Sequence, residues 1–332
     1  MRALRLDRPG PAASRPLEPA DFAGLDPAPG ELIVAVAACA VCRTDLQLVE
    51  GDLEARRLPI TPGHQAAGRV AKVGRNIRGW HEGDRAGIAW LAETCGRCAF
   101  CRSGQENLCE SAQFTGWDRD GGYATQASVL ADFAYRLPDG FDDLAAAPLL
   151  CGGIIGYRAL KRSEIRPGGR LGLFGFGASA LLTIQVARHW GCEVHVRTRS
   201  ERDQRRALAL GAETATGYDV PTPPLEAAVT FAPSGDVVVA ALRSLERGGT
   251  VAINAIHLDR IPQLDYADLW WERSIRSVAN FTRADGREFL ELAASIPIRT
   301  EIETFPLDDG NEALGRLAAG ELEATAVLVM GA

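Results

Sequence analysis

This sequence of 332 residues contains no long apolar run. The longest, Ala145–Ile155, reads as far too short to cross a bilayer. The opening stretch MRALRLDRPGP lacks the apolar core of a secretory signal. The expectation is therefore a soluble, cytoplasmic protein that engages no membrane. Positive charge is in the minority. The formal net charge is −7, and no basic stripe is present, so nucleic acid is not an expected partner. A small charged substrate stays open, because local charge can oppose net charge. Internal repeats and low-complexity tracts are absent as well. What remains is a globular chain about twice the usual domain length, which predicts two domains. At 46% hydrophobic residues it can bury sizeable cores.

A reducing cytosol also removes disulfides as the use for the eight cysteines. Metal binding or catalysis is the better use for thiols in that setting. Half of them fall in one short stretch, CGRCAFCRSGQENLC, which gives Cys95, Cys98, Cys101 and Cys109. Two overlapping C-x-x-C steps and a fourth thiol close behind suit a tetrahedral four-thiolate zinc site. An iron–sulfur cluster is the alternative that cysteine runs also serve. Four protein thiolates leave no open position, so this zinc is expected to be structural. Cys39 and Cys192 read as small buried apolar residues.

The patterning changes twice along the chain. ELIVAVAA (31–38), GRVAKVG (68–74), RAGIAWL (85–91) and GGYATQASV (121–129) are short strand-like runs separated by long loops. Near residue 144 LAAAPLLCGGIIGYRALK reads as helix, and strands then alternate with helices. The sequence runs through GRLGLFGFG, ASALLTIQVARHWG, EVHVRT and the Ser200-capped SERDQRRALALG. Such alternation predicts a doubly wound parallel sheet. From about 286 the pattern is mixed again. We read the fold as α/β, with a β-rich domain over 1–150 and 286–332 and a parallel-sheet domain over 151–285 inserted into it.

FGFGASA places Gly175, Gly177, Ala178 and Ala180 as G-x-G-x-x-A between a strand and a helix, the context that a dinucleotide-binding turn requires. The first glycine permits the tight turn, and the second lets backbone approach a pyrophosphate. Ala180 allows close helix–sheet packing, with the phosphates at the helix N-terminus. The next strand ends in Thr198, Arg199 and Ser200, where NAD-specific sites carry an acid. An arginine and two hydroxyls suit a 2′-phosphate, so NADP(H) is expected over NAD(H).

Taken in order, the pieces CRTDL (42–46), PGHQAAGRV (62–70), GDR (83–85), the four-cysteine lobe, GGYA (121–124), LLCGGIIGYRALK (149–161), the glycine turn and TRADGREFL (282–290) resemble the zinc-dependent medium-chain alcohol dehydrogenases. The resemblance spans nearly the whole chain. It implies a GroES-like catalytic domain and a Rossmann domain. It also implies two zinc ions per chain, one catalytic and one structural, and a homodimer or homotetramer acting on small alcohols, aldehydes or ketones. Carried over by position, Cys42, His64 and Cys151 are the implied catalytic zinc ligands. Thr44 is the hydroxyl that meets the substrate oxygen, Asp45 the carboxylate behind the ligand histidine, and Arg43 a cofactor-phosphate contact. Trp90 and Leu53 are implied in the substrate pocket. Two positions depart from the family pattern. Gln47 stands where a relay histidine is usual, and Gln65 where the turn usually reads His-Glu. Glutamine hydrogen-bonds but does not titrate. Two other readings fit these residues less well. One is a reductase of imines or conjugated C=C bonds that needs no hydroxyl proton. The other is a zinc- and nucleotide-binding protein without catalysis.

Overall fold

The computed structural model describes residues 1–331. The chain forms two compact units: Met1–Cys151 together with the chain from Thr282 onward, and Gly152–Phe281. The second crossing falls at Thr282, four residues before the position expected from the pattern. There Thr282 caps the helix Arg283–Ser295: its hydroxyl accepts from the Asp285 N–H, and its own N–H donates to the Asp285 carboxylate.

The first unit is built on a seven-stranded sheet. Its central strand, Glu31–Ala40, is an almost unbroken apolar run. It pairs antiparallel with Ala66–Val73 on one side and with Thr325–Val329 on the other. A strand from the end of the chain therefore completes a sheet begun near its start. Gln126–Leu130 pairs with the same central strand, and Arg85–Ile88 continues from Ala66–Val73.

The second unit carries six parallel strands. In chain order they are Arg170–Phe174, Glu193–Arg197, Thr214–Thr216, Leu225–Thr230, Leu245–Ile253 and Ser274–Ser277. Their spatial order is third, second, first, fourth, fifth, sixth. This is the doubly wound Rossmann arrangement, whose ligands bind at the carboxyl ends of the strands. Phe174, Leu225, Val238, Leu242 and Val251 pack together between the sheet and the helix Gly235–Arg243. The connection from the third strand to the fourth, residues 217–224, carries no helix. It crosses two strands, and Tyr218 lies flat on Phe174, with ring centroids 6.5 Å apart and planes at 10°.

One sequence expectation fails on length. The apolar run is part of a helical stretch, Asp143–Ser163, of 21 residues and mean hydropathy 1.2, enough by length and composition to span a membrane. However, 56% of its apolar window is buried inside the protein. The stretch is also not one helix. A 3-10 turn, Ala147–Leu150, ends at Cys151 (φ −132°, ψ −69°), and a new helix runs from Gly152 to Ser163. That break, invisible in an apolar run, frees Cys151 from the regular ladder.

Candidate active site

Three segments of the first unit bring Cys42, His64 and Cys151 together, with their ligand atoms all within 4.8 Å of one another. Cys42 sits between the central strand and the helix Arg43–Glu50, in extended conformation, as the helix N-cap. Asp45 lies in the first turn, where a carboxylate favours the positive helix end. It accepts the Cys42 N–H at 2.9 Å. Its other oxygen meets His64 Nδ1 at 2.9 Å. The Tyr123 hydroxyl donates to Asp45 at 3.0 Å. Asp45, His64 and Tyr123 are all essentially buried. With Nδ1 engaged, Nε2 is the histidine nitrogen left for a ligand, so the carboxylate fixes the tautomer.

The His64 turn owes its place to glycine. Gly63 has φ +94°, and a Cβ there would lie 2.3 Å from the Tyr123 ring. This close approach lets the turn bond backbone to backbone with residues 121–123: Gly121 N–H to Thr61, Gly122 N–H to Gly63 and Tyr123 N–H to Pro62. The turn and the tyrosine that supports Asp45 are thus locked together.

Cys42, His64 and Cys151 shift one another's protonation through direct hydrogen bonds and burial. The Cys42 thiol is held well below the usual range, first by its hydrogen bond with Cys151 and then by His64, against the cost of burial. Cys151 is pushed up by the same bond and by burial. Burial alone would lower His64, yet the charge and hydrogen bond of Asp45 and the proximity of Cys42 carry it to about 10.

Gln65 is buried, and its side-chain N–H₂ donates to the Ala40 carbonyl at 3.4 Å. A glutamate could not make that bond. Gln65 therefore tethers the turn to the strand leading into Cys42. Gln47 is half-buried, and its amide oxygen is buried without a partner among the described residues. Thr44 and Leu53 are half-buried and Arg43 is exposed; the Leu53 N–H donates to the Gln47 carbonyl at 3.0 Å. Trp90 is buried, with its ring 4.7 Å from the His64 ring in an edge contact. It stacks in turn on Phe114 (5.2 Å) and Trp117 (5.8 Å), and the Arg56 guanidinium lies 3.7 Å over Trp117.

Cys95, Cys98, Cys101 and Cys109 form the second cluster, again with all sulfurs within 4.8 Å. Backbone N–H groups donate to three of the sulfurs: Cys98 to Cys95, Cys101 to Cys98 and Cys95 to Cys109, each at 3.4 Å. Such bonds favour thiolates; those from Arg97 and Cys98 bring Cys95 down to about 6. Glu106, inside this lobe, is chelated by Arg283 at 2.6 Å and 3.0 Å and also accepts the Arg283 N–H at 2.8 Å. This pair ties the lobe to the start of the helix Arg283–Ser295. Burial raises the Glu106 pKa, but Arg283 outweighs it and leaves the carboxylate below its ordinary value. Its stabilising contribution is therefore present above the unfolded-state pKa and lost as pH falls through the lower folded value. Glu106→Gln is expected to cost about 2 kcal/mol at pH 7, tempered because Arg283 keeps some solvent contact. The difference should shrink below about pH 4. Urea denaturation of both proteins at the two pH values checks it; a gap independent of pH would remove the ion pair as its cause.

In the second unit, Gly175 takes φ +90° and donates its N–H to the Arg197 carbonyl at 2.7 Å. Gly177 caps the helix Ala178–His189, and a Cβ on it would meet nothing within 4 Å, leaving an open approach to the helix N-terminus. Ala180 is fully buried. At the end of the second strand Thr198 is buried and Arg199 exposed, while the Ser200 hydroxyl accepts the Asp203 N–H at 3.2 Å as a helix cap. Sequence reasoning assigned no role to Tyr123, Phe114, Trp117 or Arg197. Tyr123 had a visible signal, the Gly-Gly before it, which permits close packing against the His64 turn.

Residues 28–139 match the alcohol dehydrogenase GroES-like domain. Over 99% of this chain and 97% of the relative, the sequence is 50% identical to the protein named probable alcohol dehydrogenase AdhA of Mycobacterium tuberculosis (strain CDC 1551 / Oshkosh). The chain belongs to the zinc-dependent medium-chain alcohol dehydrogenase family. Among solved structures of this family type, a cobalt- and zinc-bound thermostable alcohol dehydrogenase from Pyrobaculum aerophilum superposes with TM-score 0.89 at 25% identity, covering 99% of each chain. A zinc-binding dehydrogenase from Sinorhizobium meliloti 1021 bound to NADP does so with TM-score 0.89 at 26% identity, again over 99% of each chain. Membership accounts for both units: the GroES-like domain is the first, and the Rossmann arrangement is the second.

Proposed function

We propose that this protein is a zinc-dependent alcohol dehydrogenase or aldehyde/ketone reductase that uses NADP(H) in preference to NAD(H). The observation that carries the reading is the convergence of Cys42, His64 and Cys151 within 4.8 Å, backed by Asp45 on His64. Two thiolates and an imidazole balance a zinc ion's charge and leave a tetrahedral fourth position for substrate. When bound, the ion supplies Lewis acidity to an alcohol or carbonyl oxygen, and the dinucleotide supplies or accepts the hydride. The protein's own contribution is orientation. Asp45 holds the ligand histidine, Thr44 carries the hydroxyl proton, and Gln47 offers an unpartnered amide oxygen to a sugar hydroxyl. Glutamine cannot titrate, so the relay must end in water or another route, or proton transfer slows. By the family resemblance, Trp90 and Leu53 are the substrate-pocket residues and Arg43 is the contact for a cofactor phosphate.

A second zinc at Cys95, Cys98, Cys101 and Cys109 fits the N–H···S bonds there and holds the lobe in shape. The open Gly177 turn suits a pyrophosphate, and the absence of an acid at Thr198, Arg199 and Ser200 supports NADP(H). The zinc- and NADP-bound relatives support the same pairing. A homo-oligomer is supported by exposed Tyr266, Trp270 and Trp271, which precede the edge strand Ser274–Ser277.

One preparation tests the reading. Metal analysis is expected to give two zinc ions per chain, and NADPH oxidation should proceed with aldehydes at a lower Michaelis constant than NADH oxidation. Sedimentation gives the subunit number. Turnover with imines or enones alone would move the assignment to a C=N or C=C reductase; cofactor binding without turnover would refute the enzyme.

A further inference from the structure

The second unit carries a charge that its own fold does not balance. Arg197 ends the second strand and is 2% exposed, the largest side chain to be so fully buried. Its Nη1 is buried and has no hydrogen-bond partner among the described residues. In register beside it stand Phe174 and then Thr230, whose hydroxyl is likewise buried and without a partner among the described residues. The carboxylate that acts on Arg197 is Asp219, which is exposed to solvent. Burying a guanidinium without a close counter-ion is strongly unfavourable, and such groups persist where a ligand supplies the missing charge.

The place of Arg197 says which charge. Parallel strands offer their ligands a site at their carboxyl ends, and Arg197 is the last residue of its strand. Its carbonyl receives the Gly175 N–H at 2.7 Å, so it is tied to the turn before the helix Ala178–His189. The N-terminus of that helix, open at Gly177, already suits a pyrophosphate. The end of the second strand is where the adenosine ribose hydroxyls are read. A cation left without a partner at that strand end stands where a phosphate on that ribose would supply the missing charge.

We propose that Arg197 is the buried cation that pairs with the 2′-phosphate of the adenosine ribose, with the exposed Arg199 as the outer, solvent-screened partner. This rests on reading the unit as the nicotinamide cofactor domain. It goes further by making a residue within the strand, rather than the loop after it, the main determinant of the choice between NADPH and NADH. An exposed arginine contributes little through solvent and salt. A buried one, already desolvated, does not pay that cost again when the ligand arrives.

Arg197→Met keeps the apolar stem and removes the charge, and Arg197→Lys keeps the charge without the fork. Calorimetric titration of wild type and both variants with NADPH, NADH, 2′,5′-ADP and 5′-AMP separates the phosphates. In Arg197→Met, NADPH and 2′,5′-ADP are expected to weaken about 30-fold or more, with NADH and 5′-AMP within about threefold. Arg197→Lys should fall between wild type and Arg197→Met. The ligand-free Arg197→Met protein should melt at or above the wild-type temperature, because an unpaired buried charge has gone. Equal weakening of both ligand pairs, or no weakening, overturns the proposal. A lower ligand-free melting temperature together with equal weakening would make Arg197 a structural residue. Wild-type protein that binds neither dinucleotide would refute the cofactor reading itself, before any substitution is compared.

Discussion

Cys151→Ala should yield a folded protein that carries one zinc ion in place of two and has lost aldehyde reduction by about a thousandfold or more. The expectation follows from how the two clusters are built. Cys151 sits at a break between a 3-10 turn and a helix, and its sulfur meets only one of the two clusters. The four-cysteine lobe takes all its ligands from residues 95–109 and holds its sulfurs with its own backbone N–H groups. Nothing in that lobe depends on Cys151. The opposite substitution, Cys98→Ser, should remove the other ion and loosen the lobe, because it takes away one of the four ligand sulfurs and the acceptor of the Cys101 N–H. Metal analysis by mass spectrometry, read beside thermal melting, distinguishes the two variants. If Cys151→Ala lost both ions, the division into a catalytic and a structural site would be wrong.

Much of this architecture was legible in the sequence, for reasons that differ by element. The parallel-sheet unit announced itself because its strands are covered on both faces and read as apolar runs between helices. The four-cysteine lobe was legible because its ligands are close in sequence and its geometry is local. Cys42, His64 and Cys151 were not legible from spacing. Three segments far apart in sequence meet only through the sheet, and a family pattern was needed to join them. Three features stayed hidden. The helix break at Cys151 lies inside an apolar run, where periodicity gives no sign of it. The carboxylate network extends to Tyr123 only because Gly63 and Gly121 let two turns press together. Arg197 was passed over because a charged residue at a strand end usually points to solvent, and here it is enclosed. Gln65 stands where the family turn usually reads His-Glu, and its amide bonds the Ala40 carbonyl, a tether that an ionised glutamate could not supply.

The Asp45 network gives the second large effect. Its carboxylate accepts three hydrogens in a fully enclosed setting: from the Cys42 N–H, the Tyr123 hydroxyl and the His64 imidazole. Asp45→Ala strands all three donors, and a buried donor left without an acceptor costs far more than an average hydrogen bond contributes. A loss of about 3–5 kcal/mol is expected. Zinc affinity should fall about 10- to 100-fold, because the imidazole loses the partner that fixes its tautomer. Tyr123→Phe removes only one donor and should cost about 1 kcal/mol, with a smaller change in affinity. The two substitutions act on one network, so the pair should not be additive: Tyr123→Phe should cost less in the Asp45→Ala background than alone. Urea denaturation gives the stabilities, and chelator competition gives the affinities. An Asp45→Ala protein that binds zinc as tightly as wild type would show that the carboxylate only packs the turn, and that orientation of His64 comes from elsewhere.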